Sequence, residues 1–274
     1  MPGDERYRSW AMAGRAYEVV SRRSAAPGEM TLTLRPDHGH TGHAEPAVAA
    51  LPGQYWVLRT ATGMRLPVVG AHAPEGPLEL TTVRMPCGPP PAQVGERVMV
   101  RGPFGSGWDL EIAVGRTVLC VAWESRLGLL RSAADQLIAS RPRHAGLRIW
   151  VGGRTPPAAS SRADLSRWAL RGADVTVVSG GDVAMTEAVR QLDFPPEAGV
   201  ALLAGPLPMM KATAEALVRH GVPAGRIQLA THRLIRCTNG RCGNCRVGGK
   251  GHPLFACQSG PVIGYDLLTA PSQG

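Results

Sequence analysis

Four cysteines near the C-terminus constrain this chain more than any other feature. They follow the spacing C-x4-C-x2-C-x11-C, and a glycine stands in each of the first two gaps. Structural zinc usually takes two C-x2-C-like pairs, whereas C-x4-C-x2-C with a distant fourth cysteine is the plant-type spacing of a 2Fe-2S cluster. The spacing therefore favours a 2Fe-2S cluster, with a zinc site or disulfides as alternatives. The candidate ligands are Cys237, Cys242, Cys245 and Cys257.

The N-terminus and the cysteine usage predict a cytoplasmic protein. The first residues carry several charges and lack the apolar stretch of a signal peptide. No run approaches the roughly 18 apolar residues of a membrane span. The cytoplasm keeps thiols reduced, which disfavours the disulfide alternative. Cys87 and Cys120 lie far from the loop in sequence, and we expect them to be ordinary buried thiols.

The charge of the chain says more about its partners than about its fold. The formal net charge is +9, but the basic residues are scattered and only 5 % of residues are aromatic. Nucleic-acid binding is not expected, because no basic run with interleaved aromatic residues occurs. An acidic protein partner is the interaction that this charge would favour.

The first 112 residues predict a small antiparallel β-barrel. Turn signals rich in proline and glycine separate short β-branched or alternating runs. Several short strands punctuated in this way are typical of a barrel. The histidines between residues 38 and 43 are more typical of a polar loop than of a metal cluster. The predicted strands are 17–21, 30–35, 55–59, 78–83 and 97–101.

Residues 113–232 predict a doubly wound α/β domain of the nucleotide-binding type, because apolar strand-like runs now alternate with helical patterns. The predicted strands are 117–122, 147–151, 174–178, 200–203 and 226–229. The predicted helices are 127–138, 163–170, 185–192 and 209–220. Residues 233–274 then form a cluster-binding segment at the C-terminal edge of this domain.

The order of these parts resembles one family. The motifs that carry the resemblance are Gly53-Gln-Tyr55, the turn Arg101-Gly-Pro-Phe-Gly105, Ala204-Gly-Pro206, and the cysteine loop with Gly260-Pro-Val262. The family is the ferredoxin-NADP reductase-like electron-transfer subunits with a C-terminal 2Fe-2S site. It includes the gamma subunits of cytoplasmic nickel-iron hydrogenases and sulfhydrogenases, and the electron-transfer subunits of anaerobic sulfite reductase and of dihydroorotate dehydrogenase.

The resemblance implies an electron relay. In such subunits an FAD on the barrel exchanges a hydride with NAD(P)H on the α/β domain, then passes single electrons to the cluster and on to a partner catalytic subunit. By position, the implied flavin contacts are Pro67, Val68, Val69, Gly102, Pro103, Phe104 and Gly105. The implied nucleotide contacts are Gly128, Gly205 and Pro206.

The sequence departs from the family at the cofactor contacts. Val69 stands where the family has a serine or threonine hydroxyl for the flavin ring, and the stretch 85–92 is rich in prolines, which lack the N–H groups that would hold a diphosphate. Trp123 and Glu124 replace phosphate-binding glycines, and Arg126 could partly offset the repulsion of a phosphate by Glu124. Ala204 replaces a cysteine that lies beside the nicotinamide in the family.

These departures leave two hypotheses. The first is an electron-transfer subunit of a hydrogenase-like complex, with a 2Fe-2S cluster, with FAD where the remaining backbone contacts hold it, and with weakened NAD(P)H binding. The second is a non-catalytic adaptor that keeps the reductase fold and the cluster but has lost FAD and NAD(P) binding. In neither case do we expect this chain to oxidise NAD(P)H on its own.

Overall fold

The structure of the 274-residue chain is a computed structural model. It describes residues 14–26, 29–37, 50–71, 77–83, 92–153, 156–157, 159–193, 195–235, 242–248 and 253–269. Several residues singled out above lie outside these ranges: Cys87, Cys237, most of the stretch 85–92, and the histidine loop at 38–43.

The N-terminal strands close into a six-stranded antiparallel barrel in the order β1-β2-β5-β4-β3-β6, which confirms the predicted barrel. Inward-facing side chains such as Val19, Leu34, Leu58 and Val68 are completely buried and fill its interior. The strand pattern does not predict β4, because Pro67 weakens that pattern. The strands are β1 (Arg15–Ala26), β2 (Glu29–Pro36), β3 (Tyr55–Arg59), β4 (Arg65–Ala71), β5 (Leu78–Thr82) and β6 (Arg97–Phe104).

The α/β domain is a parallel sheet in the order β11-β10-β7-β8-β9 with helices on both faces, as predicted. Its strands are β7 (Thr117–Trp123), β8 (Gly146–Gly153), β9 (Asp174–Ser179), β10 (Gly199–Ala204) and β11 (Ile227–Ala230). Its helices are α1 (Arg131–Ala139), α2 (Ala159–Leu170), α3 (Gly181–Arg190) and α4 (Leu207–His220).

One helix begins later than the pattern predicts. Residues Glu124–Leu129 form a 3₁₀ turn, and α1 follows it. Gly128 lies in this turn, and glycine is unfavourable inside an α-helix. The turn places Gly128 at the boundary between the sheet and the barrel.

The C-terminal segment is built into the α/β domain. A short hairpin of β12 (Arg246–Val247) and β13 (Leu254–Phe255) leads into α5 (Ala256–Ser259). β14 (Val262–Gly264) then pairs antiparallel with β11 and forms the sheet edge, followed by α6 (Tyr265–Thr269). The segment therefore supplies a strand of the sheet as well as the cysteines. The exact domain boundaries stay a prediction.

The hydrophobic cores show how the parts are joined. One core lies on the α1/α2 face of the sheet and includes barrel residues Tyr55 and Val69 together with Cys245 and Cys257. A second core covers the α3/α4 face, and a third fills the barrel. The cysteine segment is therefore packed into the interface between barrel and sheet. Among the helices of the described ranges, none is long and apolar enough to cross a bilayer.

Candidate metal centre and cofactor clefts

Two of the four candidate cysteines meet in the core. The Sγ atoms of Cys245 and Cys257 are 3.4 Å apart, and the two residues are 0 % and 5 % exposed. A disulfide would bring the sulfurs to about 2.05 Å. Two thiolates on one tetrahedral metal, with bonds of about 2.3 Å, lie about 3.8 Å apart. The pair therefore fits two ligands of one metal ion better than a disulfide.

The hairpin explains why these cysteines meet. Cys245 directly precedes β12 and Cys257 directly follows Ala256 at the start of α5, so pairing Arg246 with Phe255 brings the two ends together. The Ala256 N–H also donates to the Cys245 carbonyl at 2.9 Å. A change in this register would separate the two thiols.

The other two candidate ligands lie on the solvent side or beyond the described residues. Cys242 is exposed on the turn before the hairpin, where Gly243 has a φ of +68°. Cys237 is outside the described ranges. Within those ranges, no third cysteine, histidine or carboxylate converges on the buried pair. The structure thus supports two of the four predicted ligands by proximity and leaves the full set a prediction.

Tyr55 connects the cysteine pair to the barrel. Its hydroxyl donates to the Cys257 carbonyl at 3.5 Å, and its side chain is completely buried. In the barrel, Tyr55 of β3 lies opposite Val69 of β4, the strand on which the flavin contacts are predicted. Its ring also packs at 5.6 Å from that of Phe104. One side chain therefore touches both the cluster segment and the predicted flavin wall.

The turn after β6 holds the C-terminal segment in place. Gly105 has a φ of +72°, and a β-carbon there would lie 2.1 Å from the Gly260 carbonyl oxygen. The Ser106 N–H donates to the same oxygen at 2.8 Å, and the Ser106 hydroxyl donates to the Val262 carbonyl at 3.0 Å. Gly102, with φ +139°, similarly makes room for Trp56. Gly102 and Gly105 thus serve packing, and a flavin role for Gly102, Pro103, Phe104 and Gly105 stays a prediction.

The two valines of the predicted flavin-binding strand β4 face opposite sides of the barrel wall. Val68 points into the barrel, whereas Val69 packs in the core shared with the sheet. Beside Val69 lies a small cavity of about 20 Å³, which Gly128 and Thr81 also line. Ligand pockets usually measure about 300–1,000 Å³. The cavity is smaller than FAD requires, and Val69 offers no hydroxyl, so FAD binding stays a prediction.

A buried ion pair closes the same boundary. Arg126 of the 3₁₀ turn donates from Nη1 to Glu29 Oε1 of β2 at 3.0 Å, with 10 % and 5 % of the side chains exposed. The sequence analysis expects Arg126 to offset part of the repulsion between Glu124 and an anion, and the structure pairs Arg126 with the carboxylate of Glu29 on the barrel. Of the predicted nucleotide contacts, Gly128 lies in the same turn as Arg126, whereas Gly205 packs against Trp123 and Pro206 precedes α4.

His232 makes a buried contact that the sequence motifs did not reveal. It begins the stretch leading to Cys237, and its Nε2–H donates to the Gly53 carbonyl at 2.6 Å. Burial lowers the pKa of His232 to about 4, although the Gly53 carbonyl opposes this shift. Because a carbonyl can only accept, the neutral ring carries its proton on Nε2. The Gly53-Gln-Tyr55 motif was the only sequence signal near this contact.

Comparison with known proteins agrees with this geometry. Residues 232–269 match the iron-sulfur cluster binding domain of dihydroorotate dehydrogenase B. The fold matches phthalate dioxygenase reductase, a modular structure for electron transfer from pyridine nucleotides to [2Fe-2S], with a TM-score of 0.62 and 16 % identity over 80 % of this chain and 68 % of that one. It also matches the flavohem-like FAD/NAD-binding domain of nitric oxide dioxygenase from Vibrio cholerae, with a TM-score of 0.64 and 17 % identity over 79 % of this chain and 98 % of that one.

This chain has a ferredoxin reductase-like fold, and its residues 232–269 match an iron-sulfur cluster binding domain. The predicted fold and the family resemblance are thereby confirmed, whereas the four cluster ligands stay a prediction.

Curated relatives resemble most of this reductase-like chain. Sulfhydrogenase 2 subunit gamma from Pyrococcus furiosus is 25 % identical in an alignment of 195 residues, which covers 62 % of this chain and 66 % of that protein. A probable dihydroorotate dehydrogenase B electron transfer subunit from Methanothermobacter thermautotrophicus is 30 % identical over 174 residues, or 62 % of this chain and 59 % of that protein. The chain thus spans less than two thirds of the length of these relatives.

Proposed function

We propose that this chain is the electron-transfer subunit of a multisubunit, hydrogenase-like oxidoreductase. Its cluster is a 2Fe-2S centre held by Cys237, Cys242, Cys245 and Cys257. The observation that carries the proposal is the buried Cys245–Cys257 pair inside the segment that matches an iron-sulfur domain. A 2Fe-2S centre supplies one-electron transfer when it is bound.

The protein controls the surroundings of this centre through burial. Cys245 and Cys257 lie in a core with barrel and sheet side chains, which excludes water from one side. Cys242 is exposed and marks the opposite, solvent-facing side. Solvent exposure and hydrogen bonds to the sulfurs set the reduction potential of such clusters. We infer that a redox partner approaches from the Cys242 side.

The barrel defines the second side of the relay. Tyr55 touches the Cys257 backbone and lies opposite Val69 in the sheet. A flavin bound at this wall would therefore lie across a single side chain from the cluster segment. We include FAD binding at this wall in the proposal. An electron donor on a partner protein is also compatible with this arrangement.

The relatives favour electron transfer over the adaptor hypothesis. One is named as a sulfhydrogenase gamma subunit and another as an electron transfer subunit. By analogy, we propose that this chain assembles with the catalytic subunits of a related redox complex. We also propose a cytoplasmic location, because thiols there stay available to a metal centre.

The ligand assignment can be tested by metal analysis of matched cysteine variants. We expect about two irons and two acid-labile sulfides per chain after anaerobic purification. Cys245→Ser should lose most of this iron, because it removes a buried ligand. Cys120→Ser is the control: Cys120 is a buried thiol on β7 whose pKa burial raises to about 12.

Loss of iron in Cys245→Ser with retention in Cys120→Ser supports the assignment. Full iron in Cys245→Ser would contradict it. Flavin released from the same wild-type samples would show whether the barrel contributes FAD to the relay.

A further inference from the structure

The order of the parallel strands reverses between β7 and β10. From β7 the chain proceeds to β8 and β9 on one side and then to β10 and β11 on the other. Doubly wound sheets bind dinucleotides in the crevice at such a switch point, beyond the carboxyl ends of the strands. In this chain the crevice lies between Trp123, the last residue of β7, and Gly205, the residue directly after β10.

The indole of Trp123 fills this crevice. Trp123 is 2 % exposed, and a β-carbon added to Gly205 would lie 3.1 Å from its Cβ and 3.2 Å from its Cε3. The strand register explains the contact, because Ala204 pairs with Ala122 and the next residue of each strand is therefore a neighbour. Glycine at 205 thus makes room for an indole, where a dinucleotide site uses glycine to admit a phosphate.

The glycine on the other side of Trp123 is also covered by a side chain. Gly152 of β8 is the register partner of Trp123, and a β-carbon at Gly152 would lie 2.5 Å from the terminal methyl carbon, Cε, of Met185 on α3. Met185 is completely buried. Both glycines beside Trp123 are therefore covered by side chains of this chain, Gly205 by Trp123 and Gly152 by Met185.

Packing, rather than hydrogen bonding, holds the ring. The Trp123 Nε1–H is buried and has no acceptor among the described residues. By contrast, the Trp108 Nε1–H donates to the Leu129 carbonyl at 3.1 Å. An unpaired buried donor is unfavourable, so the contribution of Trp123 is the volume that it fills.

We propose that Trp123 determines the redox specificity of this chain by occupying the dinucleotide crevice and excluding NADH and NADPH from the α/β domain. This chain then receives electrons from redox centres held by proteins and passes them on to such centres. The exclusion of nucleotides is independent of the cluster, and only the redox role rests on the proposed function.

The test is calorimetric titration of NADH and NADPH into the purified protein and into variants at Trp123 and Trp150. Trp123→Ala opens the crevice. Trp150→Ala is the matched control. Trp150 lies on β8, on the same face of the sheet as Trp123, and is 8 % exposed. It pairs with Val121, which lies two residues before the end of β7. We expect wild type and Trp150→Ala to bind either nucleotide more weakly than about 1 mM, and Trp123→Ala to bind at least about tenfold more tightly.

Two results would overturn the proposal: submillimolar binding by the wild type, or equal affinity in folded Trp123→Ala and Trp150→Ala. Trp123→Phe keeps most of the ring volume and should behave as the wild type. If Trp123→Ala does not fold, Trp123→Leu replaces it. Submillimolar binding by the wild type overturns the proposal whichever variant is used. Iron measured on the same samples keeps the two claims apart, because absence of iron would contradict the proposed function and leave nucleotide exclusion intact.

Discussion

At the residue scale, the contacts that assemble the candidate centre are single side chains reaching across the chain. Tyr55 and Cys257 are 202 residues apart in sequence, yet the hydroxyl of one meets the carbonyl of the other. His232 and Gly53 are similarly distant. Such contacts depend on how the barrel docks on the sheet, which local spacing does not encode. The cysteine spacing could be recognised because its four positions are local.

His232 predicts a specific pH dependence of stability. The pKa of His232 is lowered by burial to about 4 from the ordinary value of 6.5. Between these two pH values the unfolded chain therefore binds a proton at His232 and the native protein does not. The stabilising contribution of His232 to the free energy of unfolding is fully present above pH 6.5 and is lost as the pH falls toward 4. The shift corresponds to about 3 kcal/mol.

Chemical denaturation of wild type and His232→Gln at pH 7 and at pH 4.5 measures this effect. The wild type should lose more of its free energy of unfolding on acidification than the variant, since glutamine can donate to the Gly53 carbonyl but does not titrate in this range. Equal losses in the two proteins would show that His232 does not titrate in this way.

At the element scale, the regular strands and helices of the sheet followed from hydrophobic periodicity, and the irregular elements did not. β4 contains Pro67, and β12, β13 and β14 are only two or three residues long, too short for any pattern. α1 begins after the 3₁₀ turn that contains Gly128. The elements that position the cysteines are therefore those that sequence patterns describe least well.

Gly105 tests the docking of the turn after β6 on the C-terminal segment. Gly105→Ala forces a β-carbon to within 2.1 Å of the Gly260 carbonyl oxygen and also strains a left-handed backbone. Gly63→Ala is the control, because Gly63 has a φ of +84° and nothing within 4 Å of a β-carbon. The free energy of unfolding of Gly63→Ala should fall only by the cost of the left-handed backbone conformation, about 1–2 kcal/mol.

Gly105→Ala should therefore destabilise the protein by clearly more than Gly63→Ala does, as measured by urea denaturation. It should also make the C-terminal segment more sensitive to limited proteolysis, because the Ser106–Gly260 contact would be displaced. Equal destabilisation of the two variants would mean that the turn does not hold the segment.

At the scale of the whole molecule, the chain combines a reductase-like architecture with altered cofactor clefts. The barrel and sheet share one core that contains the buried cysteines, while Trp123 fills the switch-point crevice and Arg126–Glu29 closes the barrel boundary. The net charge of +9 favours association with acidic partners. These features fit the electron-transfer subunit that we propose.

The central claim is that the C-terminal cysteines hold a 2Fe-2S cluster capable of one-electron transfer. Electron paramagnetic resonance of the anaerobically purified protein, before and after reduction with dithionite, tests it most directly. The account predicts no signal from the oxidised cluster and, after reduction, a spin-half signal of about one spin per chain. A reduced sample without such a signal, with zinc rather than iron bound, would contradict it.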